Sequence, residues 1–124
     1  MELNNKSLFK QKCFINGECV ESSSGETLEV NNPASLEIIG NVPKCSVSET
    51  KKAIDDANAA FQTWKDTTAK ERSVILKKWG ELITENADDL AKIMTIEQGK
   101  PLAEAKGEIP VSYTHLTLPT SPKV

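Results

Sequence analysis

The spacing of apolar residues changes at Ser46, and this change constrains the fold more than any other feature of the chain. Before Ser46, short stretches alternate between apolar and polar residues, as strands do. After it, apolar residues recur every three or four positions, as on one face of a helix. Ser46-x-x-Glu49 and Thr68-x-x-Glu71 are capping boxes that mark two helix starts. The pattern predicts an α+β chain with its strands first.

The N-terminal part is predicted to begin with a β-hairpin. Asn16-Gly17 lies between two apolar stretches, which is the strongest short-range hairpin signal. The resulting register pairs Cys13 with Val20 and places Cys13 and Cys19 on opposite faces, which disfavours a disulfide between them. Two further strands are predicted at residues 27–30 and 37–42, with a turn at Asn32-Pro33 and an irregularity at Gly40.

About four helices are predicted from Ser46 onward, each with one apolar stripe. The stripes of the first three are Ile54, Ala57, Phe61 and Trp64; Ile75, Trp79, Leu82 and Ile83; and Leu90, Ile93, Met94 and Glu97. Asn86-Ala-Asp-Asp opens the third helix, Gly99 ends it, and Pro101 opens a fourth. Pro110 is expected to break that helix after about Ile109. The stripes have no obvious enclosing partner in the chain.

The composition changes once, near residue 110. Of the 33 charged residues, only Lys123 lies in residues 110–124, which are rich in Thr, Ser and Pro. We therefore expect a strand and hairpin arm over 1–45, a helical segment over 46–109, and a foreign or disordered tail over 110–124.

Charge and targeting signals exclude several classes of function. A net charge of −3 with no basic block argues against nucleic-acid or acidic-membrane partners. No apolar run reaches the roughly 20 residues of a membrane helix, and the N-terminus has neither a secretory signal nor a mitochondrial presequence. The expected location is the cytoplasm. Three cysteines and one histidine, His115, form no metal-ligand pattern.

No catalytic, cofactor-binding or metal-binding residue is predicted from the residues alone. Cys45, just before a capped helix, is the best nucleophile candidate, but the part expected to be ordered has no histidine base, so three buried or half-buried reduced thiols are expected. The adjacent carboxylates diverge on their helices, and no glycine-rich phosphate loop is present. Structural roles are therefore expected for Asp55, Asp56, Asp88, Asp89, Lys77, Lys78, Trp64, Trp79 and the segment Gly99-Lys100-Pro101.

Residues 95–108, TIEQGKPLAEAKGE, resemble a segment of aldehyde dehydrogenases, especially of the succinate-semialdehyde dehydrogenase group. FINGE at 14–18 resembles the opening hairpin of that family, and VNNPA at 30–34 resembles the turn that follows. The likeness covers residues 1–109. The tail instead resembles translated sequencing-adapter read-through; a natural disordered tail and a C-terminal peptide ligand are the alternatives.

The resemblance implies the leading part of an aldehyde dehydrogenase α/β fold, with residues 46–109 packing on a cofactor-binding domain. It implies an intact enzyme, a homo-oligomer, that oxidises succinate semialdehyde to succinate with NAD⁺ or NADP⁺. The family's nucleophilic cysteine, general-base glutamate and cofactor-binding residues match nothing here, and Cys13, Cys19 and Cys45 match no catalytic position. The chain itself is therefore expected to be inactive. The alternative is a truncated, non-catalytic interaction module that binds full-length subunits.

Overall fold

The computed structural model describes residues 2–117, and strands precede helices in it as predicted. A 3₁₀ turn at Lys6–Leu8 comes first. The strands are β1 (Cys13–Ile15), β2 (Glu18–Val20), β3 (Thr27–Asn31) and β4 (Ile38–Pro43). The helices are α1 (Val47–Trp64), α2 (Ala69–Glu85), α3 (Ala87–Gln98) and α4 (Leu102–Thr117). This α+β order confirms the predicted fold class.

The chain forms two compact units that differ from the predicted segments. A strand unit spans Lys10–Asp66 and contains all four strands and α1. A helical unit combines the N-terminal residues up to Phe9 with the chain from Thr67 onward. Helix α1 therefore belongs with the strands, and the first nine residues belong with the later helices. Long-range contacts decide this grouping, and a change in apolar spacing does not report them.

Two antiparallel hairpins make up the sheets of the strand unit. Strands β1 and β2 pair Cys13 with Val20 and Phe14 with Cys19, as predicted. Asn16 and Gly17 have φ angles of 51° and 81°, which suit the tight turn of a two-residue hairpin.

Strands β3 and β4 contain the predicted irregularity. Val30 pairs with Gly40 and Asn31 with Ile38, so Ile39 is an extra residue in β4. The turn that joins these strands begins at Asn32, whose side-chain oxygen accepts a hydrogen bond from the backbone N–H of Ala34.

The capping boxes at α1 and α2 are both formed. Ser46 Oγ accepts from the backbone N–H of Glu49, and the Glu49 carboxylate accepts from the backbone N–H of Ser46 at 2.7 Å. Thr68 and Glu71 make the same reciprocal pair. These short-range bonds satisfy backbone N–H groups that a helix start leaves unpaired.

The core of the helical unit is small. Helix α4 packs against both α2 and α3. Ala91 and Ala105 are fully buried and Ile109 nearly so. Half-buried apolar residues pack around these three, namely Ile83, Ala87, Leu90 and Met94. Alanines at the contact allow a close approach of helix backbones but exclude little apolar surface from water.

The prediction that Pro110 ends the last helix is wrong. Helix α4 contains Pro110 and continues to Thr117. Proline removes one backbone N–H donor from a helix, but its fixed φ is helical, so a proline can kink a helix without ending it. Residues 118–124 of the predicted tail lie outside the described residues.

The start of α3 also differs in detail from the prediction. Asn86 makes no side-chain cap at α3. Its Nδ2 instead donates to the carbonyl oxygen of Leu82 at 2.8 Å, at the end of α2. Asn86 lies at the junction of α2 and α3, and its side chain donates to a carbonyl oxygen at the end of α2. Gly99 ends α3 in the left-handed conformation, as predicted.

Candidate functional site

The helical unit contains an apolar groove of about 780 Å³. Residues of three helices line it: Trp79, Ile83, Leu90, Ile93, Met94, Glu97, Gln98, Glu108 and Ile109. The predicted stripes of α2 and α3 supply most of this lining, so the structure brings these two stripes together. The few polar side chains come from the last turn of α3 and from α4.

Much of the predicted apolar surface is nevertheless exposed to solvent. Trp79 on α2 is 56% exposed and Ile75 is 54% exposed. On α1, in the other unit, Ile54 is 63% exposed and Phe61 is 53% exposed. No large side chain among the described residues is completely buried. Exposed apolar faces of this extent are typical of surfaces that pack on something else.

Two cysteines lie side by side in the strand unit. The Sγ atoms of Cys13 and Cys45 are 3.8 Å apart, and both residues are half-buried. Cys19 points to the other face of the first hairpin, as the predicted register requires. It is exposed there, so the expectation that all three thiols are at least half-buried is wrong for Cys19. Sequence reasoning missed the pair, because 32 residues separate its members.

Cys45 is not an activated nucleophile. Burial raises the pKa of its thiol, and the hydrogen bond with Cys13 and the charge of Glu49 raise it further. A nucleophilic cysteine needs the opposite shift, because the thiolate is the reactive form. The side chain of His115 lies outside the described residues. The structural role expected for Cys45 stays a prediction.

Three of the four adjacent carboxylates pair with a lysine at 2.7–2.9 Å. Asp55 pairs with Lys51 and Asp56 with Lys52, one turn apart on α1. Asp88 pairs with Lys106 at 2.7 Å. The first two pairs lie along the surface of α1, and the third joins α3 to α4.

Asp89 has a more specific structural role than the sequence indicated. It is 3% exposed, and its oxygens accept hydrogen bonds from the backbone N–H groups of Asn4 and Asn5 at 3.1 and 2.8 Å. The backbone hydrogen bond from Asn5 is the largest cause that lowers the pKa of Asp89. Lys92 reaches both the Asp89 carboxylate and the carbonyl oxygen of Glu2. Asp89 thus joins the N-terminal segment to the start of α3.

The described helix starts are unsuited to phosphate. Glu49, Glu71 and Glu104 occupy the first turns of α1, α2 and α4, and Asp88 and Asp89 occupy that of α3. A carboxylate at this position already complements the helix dipole and repels a second anion. Lys100, the one basic residue near the α4 start that the sequence singled out, is paired with Glu108.

Over residues 2–111, no three side chains of the metal-ligating types come together. No helix within residues 2–117 is long and apolar enough to cross a bilayer.

Comparison with known proteins gives consistent matches. The sequence model described as "Aldehyde dehydrogenase family" matches residues 19–120. Glutarate-semialdehyde dehydrogenase of Pseudomonas putida is 54% identical over 109 residues, which are 88% of this chain and 23% of that protein. The NADP⁺ succinate-semialdehyde dehydrogenase of Escherichia coli is 53% identical over the same length, again 88% of this chain and 23% of that protein.

Solved structures agree with the sequence matches. The crystal structure of succinate-semialdehyde dehydrogenase from Burkholderia pseudomallei superposes with a TM-score of 0.92 at 44% identity, covering 97% of this chain and 25% of that one. An Escherichia coli NADP-dependent enzyme gives a TM-score of 0.92 at 48% identity, covering 96% and 25%. The chain therefore spans about a quarter of the length of the proteins it matches.

Proposed function

The chain belongs to the aldehyde dehydrogenase family, and from this premise we propose that it forms the N-terminal part of an NAD(P)⁺-dependent semialdehyde dehydrogenase. The observation that carries the proposal is the identity of 53–54% over 109 residues with two semialdehyde dehydrogenases, one of which is named as NADP⁺-dependent. The described fold, two hairpins followed by four helices, superposes on a quarter of a crystal structure of the same group.

The proposed substrate of the whole enzyme is succinate semialdehyde, oxidised to succinate, with the one-carbon-longer glutarate semialdehyde as the nearest alternative. The names of the matched relatives support a common chemistry. They include dehydrogenases of glutarate semialdehyde, succinate semialdehyde and 3-sulfolactaldehyde. Each of these substrates is a short aldehyde with an anionic group at its far end. Such a substrate requires a cationic or hydrogen-bonding anchor as well as the reactive centre.

We further propose that these 124 residues are not catalytic by themselves. The nicotinamide dinucleotide supplies hydride acceptance in this family, but the residues present do not fit it. The chain has no glycine-rich phosphate turn. The helix starts that could bind a pyrophosphate carry the acidic residues described above. Cys45 lacks the lowered pKa of a reactive thiol. No step of the reaction is therefore derived from this chain.

The proposed role of the segment is structural within the whole enzyme. The groove formed by α2, α3 and α4, and the exposed apolar face of α1, would pack on the cofactor-binding domain and its neighbours. Their exposure supports this role, since faces with residues such as Phe61 and Trp79 more than half exposed are costly to leave in water. The matched enzymes are about four times as long, which is enough chain to cover these faces.

A chimera tests this proposal directly. Residues 1–109 would replace the aligned 109 residues of the Escherichia coli NADP⁺ succinate-semialdehyde dehydrogenase. We expect the chimera to reduce NADP⁺ in the presence of succinate semialdehyde, whereas the 124-residue chain alone should produce no NADH or NADPH. A correctly assembled chimera without activity, or an active chain, would contradict the proposal.

A pair of variants tests the packing role within the same chimera. Ile83→Asp places a charge in the groove of the helical unit, whereas Lys77→Asp changes an exposed position on the same helix. We expect Ile83→Asp to abolish activity by preventing assembly and Lys77→Asp to retain most of it. Equal effects of the two variants would argue against the groove as a packing surface.

The second candidate function is a non-catalytic module that binds full-length subunits. The same exposed apolar faces favour it. Mixing the 124-residue chain with the Escherichia coli relative, followed by size-exclusion chromatography, separates the two candidates. Co-elution at a fixed ratio would support the module, and self-association without co-elution would leave the structural role inside one enzyme.

A further inference from the structure

We propose that Cys13 and Cys45 form a reversible intramolecular disulfide, which is an oxidative modification site that ties β1 to the start of α1. This inference concerns the strand unit alone and does not depend on the proposed enzymatic function.

The geometry brings one pair of sulfur atoms together. The Sγ atoms of Cys13 and Cys45 are 3.8 Å apart. A disulfide bond is about 2.05 Å long, so the sulfurs must approach by roughly 1.8 Å. Cys13 is the first residue of β1, and Cys45 lies in the short segment between β4 and α1. Both belong to the same compact unit, so closing the bond requires no movement of one unit against the other.

The third cysteine does not compete for the same partner in the folded chain. Cys19 pairs with Phe14 across the first hairpin, while Cys13 pairs with Val20. Neighbouring positions along a strand point to opposite faces, so Cys13 and Cys19 are directed apart. Cys19 is exposed, whereas Cys13 and Cys45 are half-buried together. The fold therefore selects one of the three possible pairings.

A small oxidant can reach the pair from solvent. Cys45 lines a cleft of about 270 Å³ in the strand unit, together with Ile15 and Val20 of the first hairpin and Glu49 of α1. Hydrogen peroxide needs little more room than a water molecule, which occupies about 30 Å³ in the liquid. A small oxidant can therefore reach Cys45, and the sulfur of Cys13 lies next to it.

The proposed oxidant class is a peroxide, and the reaction balances in two steps. Cys45 reacts through its minor thiolate form, and slowly, because burial and Glu49 raise the pKa of its thiol. That thiolate attacks a peroxide oxygen; a sulfur–oxygen bond forms, the oxygen–oxygen bond breaks, and water leaves after protonation. The second sulfur then attacks the sulfenic acid; the sulfur–sulfur bond forms, the sulfur–oxygen bond breaks, and a second water leaves. Overall, two thiols and one hydrogen peroxide give one disulfide and two waters. A dithiol reductant reverses the modification.

Disulfide mapping of the full chain tests the proposal. The chain is treated with stoichiometric hydrogen peroxide, remaining thiols are blocked with iodoacetamide, and the protein is digested with trypsin and Glu-C. This digestion separates the three cysteines into peptides 13–18, 19–21 and 45–49. We expect a cross-link between peptides 13–18 and 45–49, with the Cys19 peptide alkylated. Dithiothreitol should remove that cross-link.

The same chain oxidised in 6 M guanidinium chloride is the matched control. Cys13 and Cys19 are six residues apart, whereas Cys13 and Cys45 are 32 apart. Loop-closure entropy then favours the Cys13–Cys19 pairing by roughly tenfold in an unfolded chain. We expect the native fold to reverse this preference. A Cys13–Cys19 cross-link in both conditions would overturn the proposal.

A Cys19→Ser variant removes the exposed thiol and with it dimerisation through that residue. In this variant, oxidation of the monomer should lower the mass by two hydrogen atoms and leave no alkylatable thiol. Oxidation of Cys13 and Cys45 separately to sulfinic acids, or cross-linking between molecules only, would overturn the proposal.

Discussion

Replacing Asp89 by Asn should release the N-terminal segment from the helical unit. Asp89 Oδ1 accepts from the backbone N–H of Asn4 at 3.1 Å, and Oδ2 accepts from that of Asn5 at 2.8 Å. An asparagine side chain has one acceptor oxygen, and its NH₂ group cannot accept. In the variant, at least one of the two backbone N–H groups therefore has no acceptor at residue 89. The other N–H group donates to a neutral amide oxygen in place of a charged carboxylate oxygen.

The size of the effect follows from these contacts. One hydrogen bond to a charged group corresponds to roughly a 10- to 100-fold change in an equilibrium constant. Hydrogen-exchange protection of the Asn4 and Asn5 amides, measured at neutral pH by mass spectrometry or NMR, should fall by that factor. Protection within α4 should change little, because the contacts of Ala105 and Ile109 are not altered.

Asp88→Asn is the matched control on the adjacent residue. The Asp88 side chain is 70% exposed and pairs with Lys106 on the surface, where ion pairs contribute little. We expect less than about a threefold change in protection for this variant. Equal losses in the two variants, or unchanged protection of Asn4 and Asn5 in Asp89→Asn, would refute the assigned role of Asp89.

Three further predictions concern packing, capping and cooperativity. Ala105→Leu overfills the contact between helices and should lower the urea concentration at which half of the helical circular dichroism signal is lost, whereas Ala103→Leu, at an exposed position of α4, should change it little. Ser46→Ala should cost about 1 kcal/mol by removing the cap of α1. Hydrogen bonds from Ser46 lower the pKa of Glu49 to about 2. The contribution of the Glu49 carboxylate to stability is therefore complete above its usual pKa of 4.5 and is lost as the pH falls from there toward 2. Acid titration of helix content by circular dichroism should show this loss in the parent chain and a smaller loss in Ser46→Ala. Thermal unfolding of the isolated chain should be broad because its described core is small, and a sharp two-state transition would contradict this.

Short-range patterns predicted much of the secondary structure. The Asn16-Gly17 turn, the register of the first hairpin and the Gly99 helix end were all expected from neighbouring residues. Both capping boxes formed as well. Each of these features depends on groups within a few positions of one another, so local geometry determines them in any tertiary context.

The incomplete covering of the apolar stripes could also be predicted from the sequence. Ile75, Trp79 and Phe61 remain about half exposed in the structure. The amount of apolar surface on a helix can be counted from its sequence, and the described residues leave much of it uncovered.

Other features depended on tertiary contacts and could not be found by spacing. The sulfur pair of Cys13 and Cys45 joins positions 32 residues apart, and Asp89 binds amides 84 and 85 residues away. Asp89 is buried and Asp88 is exposed because the N-terminal segment packs on Asp89. The sequence pattern shows only that both lie in a first helical turn.

Pro110 is a single residue whose effect on its helix could not be predicted from the local sequence. Its chemistry removes one hydrogen bond from a helix, which locally favours a break. Helix α4 nevertheless continues through it, with Ile109 and Ala105 packed against the neighbouring helices. Local sequence thus determined where the turns, caps and apolar faces lie in this protein. The tertiary structure alone decided which distant groups meet, because those contacts are set by the combined packing of several elements and not by neighbouring residues.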